Sequence, residues 1–317
     1  MNDARPAEAR TRGVGLPAAA AQTERCPVCG GDAVQTWYPA GISDPGEVSF
    51  SYTFKPEHSR TFRVVRCRSC THAFCTPIPE DIASHYVDVT DDEYLKHEQS
   101  RRLSAKALLA TLSGFQPTGK LLDVGCATGD FLEEARLAGY DVEGLELSQW
   151  SSRLAGARGI PVHRKFLAEL AAEQPESFDV ITLWGVIEHF ARPRQEIDHI
   201  YRLLKPGGVL ALWTGDVDSL TSRVLGRKWW YWQGQHIQYF THRSLLQLSR
   251  SVGFEHLATR LYPFAASFDT ISNSLRRYRL RPLALPALKA LFKVRPTLYL
   301  RLPGEMFFLA RRPASQP

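Results

Sequence analysis

The 317 residues contain no apolar run of eighteen or more, so no segment reads as a membrane-spanning helix. Met1 to about Glu24 is rich in Ala, Arg and Pro but lacks the continuous apolar core of a secretory signal. This stretch, residues 1–24, is expected to be a disordered tail on a cytoplasmic protein. Internal repeats and long low-complexity tracts are also missing, which excludes repeat architectures. Acidic residues are scarce in one place: Arg276 to Arg312 holds ten Lys or Arg and a single acid, Glu305. That segment carries +9 of a chain whose net charge is +6, leaving −3 for the rest. The basicity is therefore local. It suits a face that meets phosphates, on an anionic acceptor or a membrane surface, and does not imply chain-wide affinity for nucleic acid. What is present is ordinary for a soluble globular protein, with 44% hydrophobic and 23% charged residues and enough length for two domains.

The Gly-x-Gly-x-x-Gly spacing of dinucleotide folds is absent as well. Residues 121–130 instead read Leu-Leu-Asp-Val-Gly-Cys-Ala-Thr-Gly-Asp, followed at strand–helix–strand distance by Val142-Glu-Gly-Leu-Glu146. The apolar run Leu121 to Val124 suits a buried parallel strand, and Gly125 and Gly129 allow a sharp turn and close approach of a ligand. Asp123 precedes the first glycine. A carboxylate there would repel a pyrophosphate but could pair with a cationic amino-acid moiety, which favours S-adenosylmethionine over NAD. The pattern resembles the signature of class I methyltransferases, with Ala127 where many members have glycine. Two further stretches resemble later motifs of that family: Ser177 to His189, a strand ending in Trp184-Gly185 and then Glu188-His189, and Ile200 to Trp213, a helix stopped by Pro206-Gly-Gly and followed by a strand. The resemblance implies an α/β, Rossmann-like sheet. It implies a cofactor site of Asp123, Gly125, Cys126, Gly129, Glu146, Leu147, Trp184 and Gly185, with Glu146 holding the ribose hydroxyls.

Four of the six cysteines form two knuckles, Cys26-Pro-Val-Cys29 and Cys67-Arg-Ser-Cys70, 37 residues apart. Two such pairs supply a closed tetrahedral set of thiolates for structural Zn2+, and Thr61 to Arg66 alternates as a ribbon strand would. Redox pairing is the alternative. The expected organisation is a zinc ribbon over 25–78 with an enlarged loop near Gly41 to Gly46, a helical connector or lid over 79–118, and the S-adenosylmethionine domain over 119–313. Tyr86 and Tyr94 fall in the connector. Past Trp213 the chain turns aromatic, and the paired tryptophans of Lys228 to Thr241 read as the wall of a pocket for a ring or sugar. Thr241 is expected to cap a helix from Ser244 to Val252 that ends at Gly253, with last strands at Glu255–Pro263 and Glu305–Arg312 and an insertion, Leu275 to Pro303, between them.

His236 and His189 are the candidate catalytic bases, both expected at the C-terminal edge of the sheet. A zinc module ahead of a class I domain resembles methyltransferases of nucleotide-sugar and related small-molecule pathways. The sugar C-methyltransferases among them carry a Tyr-His-Glu-His segment; Gln233-Gly-Gln-His236 keeps the last histidine alone, so O-methylation is at least as well supported. The acceptor is thus expected to be a sugar, nucleotide sugar or lipid-linked intermediate. Zinc-containing ribosomal RNA methyltransferases are the second resemblance, but the basic charge lies at the opposite end from the knuckles, and Trp184-Gly-Val-Ile replaces Asn-Pro-Pro-Tyr. A non-enzymatic scaffold is a third reading.

Overall fold

The computed structural model describes residues 24–268, 271–272, 275, 281–295 and 297–314. Nearly all of the expected tail, and Arg276, Arg277 and Arg279 of the basic stretch, lie outside the described residues. The chain runs β1 (Val34–Tyr38), β2 (Val64–Cys67), β3 (Ala73–Cys75), α1 (Asp92–Leu95), α2 (Glu98–Leu112), β4 (Gly119–Val124), α3 (Asp130–Leu137), β5 (Tyr140–Leu145), α4 (Gln149–Ala157), β6 (Val162–His163), α5 (Leu167–Glu173) and β7 (Phe178–Trp184). It continues with α6 (Pro193–Leu203), β8 (Leu204–Gly215), α7 (Leu220–Leu225), β9 (Gln238–Tyr239), α8 (His242–Val252), β10 (Glu255–Ala266), α9 (Arg281–Val294) and β11 (Leu298–Arg311).

A seven-stranded sheet has the order β10-β11-β8-β7-β4-β5-β6. Its β8-β7-β4-β5-β6 part is parallel, and β11 joins β8 antiparallel. Strand order reverses between β4 and β7, because β5 and β6 extend one way from β4 before the chain crosses back. A crevice opens at the carboxyl ends of strands at such a switch point, and Asp123 and Trp184 sit there. The strands carry continuous apolar runs because helices cover both faces: Leu121, Leu122, Val180, Ile181, Leu183 and Leu210 are all fully buried.

A second, four-stranded sheet has the order β1-β2-β3-β9. Its first three strands come from the cysteine-bearing region, and its last is borrowed from the aromatic segment, with Ala73 opposite Tyr239 and Phe74 opposite Gln238. Trp229, Tyr231, Trp232, Ile237 and Tyr239 pack with Ile42, Phe62 and Val64 in one apolar cluster. The expected pocket wall is thus corrected in part. Trp229 and Trp232 are 1% and 3% exposed within that cluster, Trp232 against Trp37, Tyr38 and Tyr239 of the small sheet, and Trp230 alone is half-buried, stacked on Trp213.

Thr241 caps α8 through its hydroxyl and Gly253 closes it in a left-handed conformation, as the sequence predicts, although the helix begins at His242. Elsewhere boundaries move. Helix α6 ends at Leu203, before Pro206-Gly-Gly, because the proline holds the residues ahead of it extended and they join β8. Strands β10 and β11 outrun their expected limits: Tyr262 to Ala266 pairs with Leu298 to Leu302, so part of the expected insertion is a hairpin arm.

Candidate active site and metal centre

Asp123, next to last in β4, lies opposite Thr182 of β7, whose hydroxyl donates to Asp123 Oδ1 at 2.6 Å. Burial pushes the Asp123 carboxyl up to about 8, more than the Thr182 hydrogen bond lowers it, and the Glu146 charge adds to the rise. Gly125 turns the chain at φ +70°, and a Cβ there would lie 2.7 Å from Val186. Gly129 opens α3 at φ +82°, where a Cβ would meet Ile160 at 2.8 Å. Only glycine fits either place. Ala127, between them, also adopts a left-handed backbone, φ 46°, and aims its amide at Glu146 Oε2, 2.9 Å away. Glu146 follows β5 and takes the Ser148 amide on Oε1 at 2.8 Å.

The other expected cofactor residues divide into two kinds. Leu147 turns its amide toward the Glu146 carboxylate, and Trp184 packs against Phe131 and Phe307 at the sheet edge. Gly185 lies against the Trp213 indole. Cys126, by contrast, is buried with its thiol toward Gly144 of β5, so any contact with a ligand would be through its backbone. Thr128 Oγ1 and Trp184 Nε1 are buried without a hydrogen-bond partner. Two buried carboxylates with two unspent donors fit a zwitterionic, ribose-bearing ligand such as S-adenosylmethionine.

His189 follows β7 in a short 3-10 turn, and His236 lies within the aromatic segment; their rings meet edge to face at 4.9 Å. His189 Nδ1 lies 2.7 Å from the Gln235 carbonyl and His236 Nδ1 lies 2.8 Å from the Tyr231 carbonyl. A carbonyl only accepts, so both Nδ1 atoms carry protons and each Nε2 keeps a lone pair. Burial holds both rings neutral, pushing His189 down to about 4 and His236 well below the usual histidine range. Beside them Glu188, raised to about 7 by burial, accepts from Thr214 at 3.2 Å, and Thr214 is 2.7 Å from the Tyr231 hydroxyl. Ligand atoms of Glu188, His189 and His236 lie within 4.8 Å of one another, a set that could also hold a divalent cation.

Cys26, Cys29, Cys67 and Cys70 bring their sulfurs within 4.8 Å of one another. The Cys26–Cys70 and Cys29–Cys67 separations are 3.5 and 3.6 Å, close to the ~3.8 Å edge of a tetrahedron with Zn–S bonds of about 2.3 Å. All four are free thiols, and the donor set fits a closed Zn2+ shell. Cys75, buried between Ile237 and Tyr239, is not part of the cluster.

Two residues escaped the sequence reading. Tyr52, in the loop between the knuckles, reaches Glu146 with its hydroxyl, and Glu305 is buried under Trp213. The aromatic cluster Phe50-Ser-Tyr-Thr-Phe54 was the available signal for the first, and an acid alone in a basic segment for the second.

Solved structures share this fold. A SAM-dependent methyltransferase from Archaeoglobus fulgidus covers 70% of this chain and 100% of its own, with 18% identity and a TM-score of 0.50. A chain of the Haloferax volcanii complex between the Trm112 methyltransferase activator and a methyltransferase covers 75% and 99%, with 16% identity and a TM-score of 0.52. Over 95 residues the chain is 36% identical to the ubiquinone biosynthesis O-methyltransferase of Chromobacterium violaceum and 40% identical to that of Pseudomonas putida. Those stretches are 28% of this chain and 41% of either relative, so the chain spans about two fifths of the length of the curated relatives it matches. The methyltransferase-domain profile matches residues 94–259, just over half of the sequence, and the protein belongs to the methyltransferase-domain family.

Proposed function

We propose that the protein is a methyltransferase that uses S-adenosylmethionine to methylate an oxygen, or an activated carbon, of a small-molecule acceptor. The observation that carries this is the pair of neutral, buried imidazoles, each held through Nδ1 by a backbone carbonyl, at the same sheet edge as Asp123 and Glu146. S-adenosylmethionine supplies a methyl group on a sulfonium, which departs as a neutral thioether. In this reading His236 Nε2 takes the acceptor's proton, His189 flanks it, and Glu188 holds the Thr214–Tyr231 pair behind them. Asp123 receives the cationic amino-acid end and Glu146 the ribose. Relatives named O-methyltransferases support an oxygen acceptor.

The acceptor class we favour is a sugar, nucleotide sugar or glycan- or lipid-linked intermediate. Support comes from the cationic arm: Lys289, Lys293, Arg295 and Arg301 have no acid in the sequence around them until buried Glu305, which suits an anionic or membrane-held acceptor. No helix among the described residues is long and apolar enough to cross a membrane. We assign the four-cysteine centre a structural Zn2+, since four thiolates leave no open position.

Transfer of radiolabelled methyl from S-adenosylmethionine to nucleotide-sugar, glycolipid, phenolic and ribosomal RNA pools tests the reading. Label is expected in a small molecule, as an alkali-stable ether where oxygen is the acceptor or on carbon where carbon is; label in RNA overturns it. His236→Ala is expected to lower kcat by about 10²- to 10⁴-fold while S-adenosylhomocysteine still binds.

A further inference from the structure

We infer that Tyr52, carried by the loop between the two cysteine knuckles, is a residue of the cofactor site whose hydroxyl exchanges Glu146 for Ser151 when a ribose takes its place. The inference rests on the assignment of Glu146 as the ribose acceptor.

Glu146 is 5% exposed and its carboxylate is crowded. Oε1 accepts from the Ser148 amide at 2.8 Å and the Tyr52 hydroxyl at 3.2 Å, and Oε2 accepts from the Ala127 amide at 2.9 Å. The Leu147 amide also points at the carboxylate. A carboxylate offers about four lone-pair places, and the hydrogen bonds from Ser148, Tyr52 and Ala127 fill three of them, so a vicinal diol that donates twice needs one to be given up. The amides of Ala127, Leu147 and Ser148 are main chain, fixed by the glycine turn and the end of β5. Tyr52 is the donor that can leave, and it has a second partner: Ser151 Oγ lies 2.6 Å from the same hydroxyl.

The loop is held on both sides of Tyr52. The Ser51 amide donates to Gln235 Oε1 at 3.4 Å, and the Thr53 amide donates to Asp91 Oδ2 at 2.7 Å. The ring itself lies 5.1 Å from Tyr94 and 6.3 Å from Trp150, so it walls the cofactor edge with residues of the connector and α4. Gln235 also presents its carbonyl to His189 and precedes His236. The zinc module therefore reaches the ribose end of the site and, one residue earlier, the segment that carries the proposed base.

Calorimetry with S-adenosylhomocysteine on the full chain tests the exchange. Tyr52→Phe keeps the ring and removes the competing donor, and is expected to tighten binding by about three- to tenfold, the span of one neutral hydrogen bond. A packing defect would weaken binding instead, so the direction separates the two. Ser151→Ala removes the fallback partner and is expected to weaken binding by about threefold or more. Unchanged or weaker binding in Tyr52→Phe, or unchanged binding in Ser151→Ala, overturns the exchange. Glu146→Ala is measured alongside. If it leaves affinity unaltered, the ribose assignment itself falls; if it weakens binding while the other two variants miss their expected shifts, the exchange alone falls.

Discussion

Ala127 keeps a Cβ in a left-handed backbone, a conformation that costs an L-residue roughly 1–2 kcal/mol relative to glycine. The turn tolerates this because it delivers the Ala127 amide to Glu146. Ala127→Gly is expected to stabilise the fold by up to about 1 kcal/mol, once the greater freedom of glycine in the unfolded chain is set against the strain relieved. Denaturant unfolding measures it, and a destabilised variant would show that the turn holds no such strain. Asp123 makes a prediction of a different kind. Its carboxyl is held near 8, so much of it is protonated at neutral pH, and a cation bound beside it favours the ionised form. Binding of S-adenosylhomocysteine should then release a proton at pH 7, with affinity rising toward pH 8 by at most about tenfold per unit. Calorimetry in two buffers of different ionisation enthalpy counts that proton, and Asp123→Asn should abolish both effects; a wild-type affinity indifferent to pH speaks against the assignment.

At the scale of elements, the cysteine knuckles and the site are joined by β9. Strand β3, which follows the second knuckle, pairs with Gln238–Tyr239, and the Cys75 amide donates to the Ile237 carbonyl, so the chain beside His236 is part of the ribbon's sheet. Cys67→Ser should lose its metal, seen by elemental analysis, and the structural loss should be severe, since binding of such a Zn2+ contributes on the order of 10 kcal/mol to folding. Methyl transfer should fall with it. A Cys67→Ser protein that keeps its thermal midpoint and turnover would sink the structural role. This coupling marks the limit of what the sequence displays. Strands β4 and β7, the glycine turn, the Thr241 and Gly253 caps and the cysteine knuckles are legible because each rests on residues adjacent in the chain. Strand β9 is two residues long and its partner lies more than 160 residues away, so no local periodicity betrays it. Trp229, one of the adjacent pair expected to wall a pocket, is buried for a related reason: composition reports that a segment is aromatic, whereas burial depends on which sheet arrives to cover it. Tyr52 sits in a loop whose meaning comes from Glu146, 94 positions on.

Across the whole molecule, the C-terminal edge of the large sheet gathers acids that the surrounding apolar packing keeps from ionising. Asp123 and Glu305 are pushed up to about 8 and Glu188 to about 7, in each case chiefly by burial, and Glu188 further raises Glu305. Each accepts from a side-chain donor, among them Thr182 for Asp123, the Trp213 indole at 2.8 Å for Glu305 and Thr214 for Glu188. These hydrogen bonds make the burial tolerable without restoring the ordinary carboxylate range. The sign of the linkage follows. The folded state holds protons that the unfolded chain releases near pH 4, so the stability from these groups is complete below that pH and is lost as pH rises through 7 to 8. Each group contributes at most about 1.4 kcal/mol per pH unit across that window. Stability measured by denaturant midpoint should therefore decline from pH 5 to pH 8. Glu305→Gln, which can still accept from the Trp213 indole but carries no titrating proton, should show a shallower decline and exceed the parent at pH 8. Saturating S-adenosylhomocysteine should flatten the curve further, because a cation beside Asp123 removes its preference for the protonated form. Parallel pH curves for the parent and Glu305→Gln would mean that Glu305 does not hold its proton in the folded state, and that the acidic edge is more open to water than its 3% exposure implies.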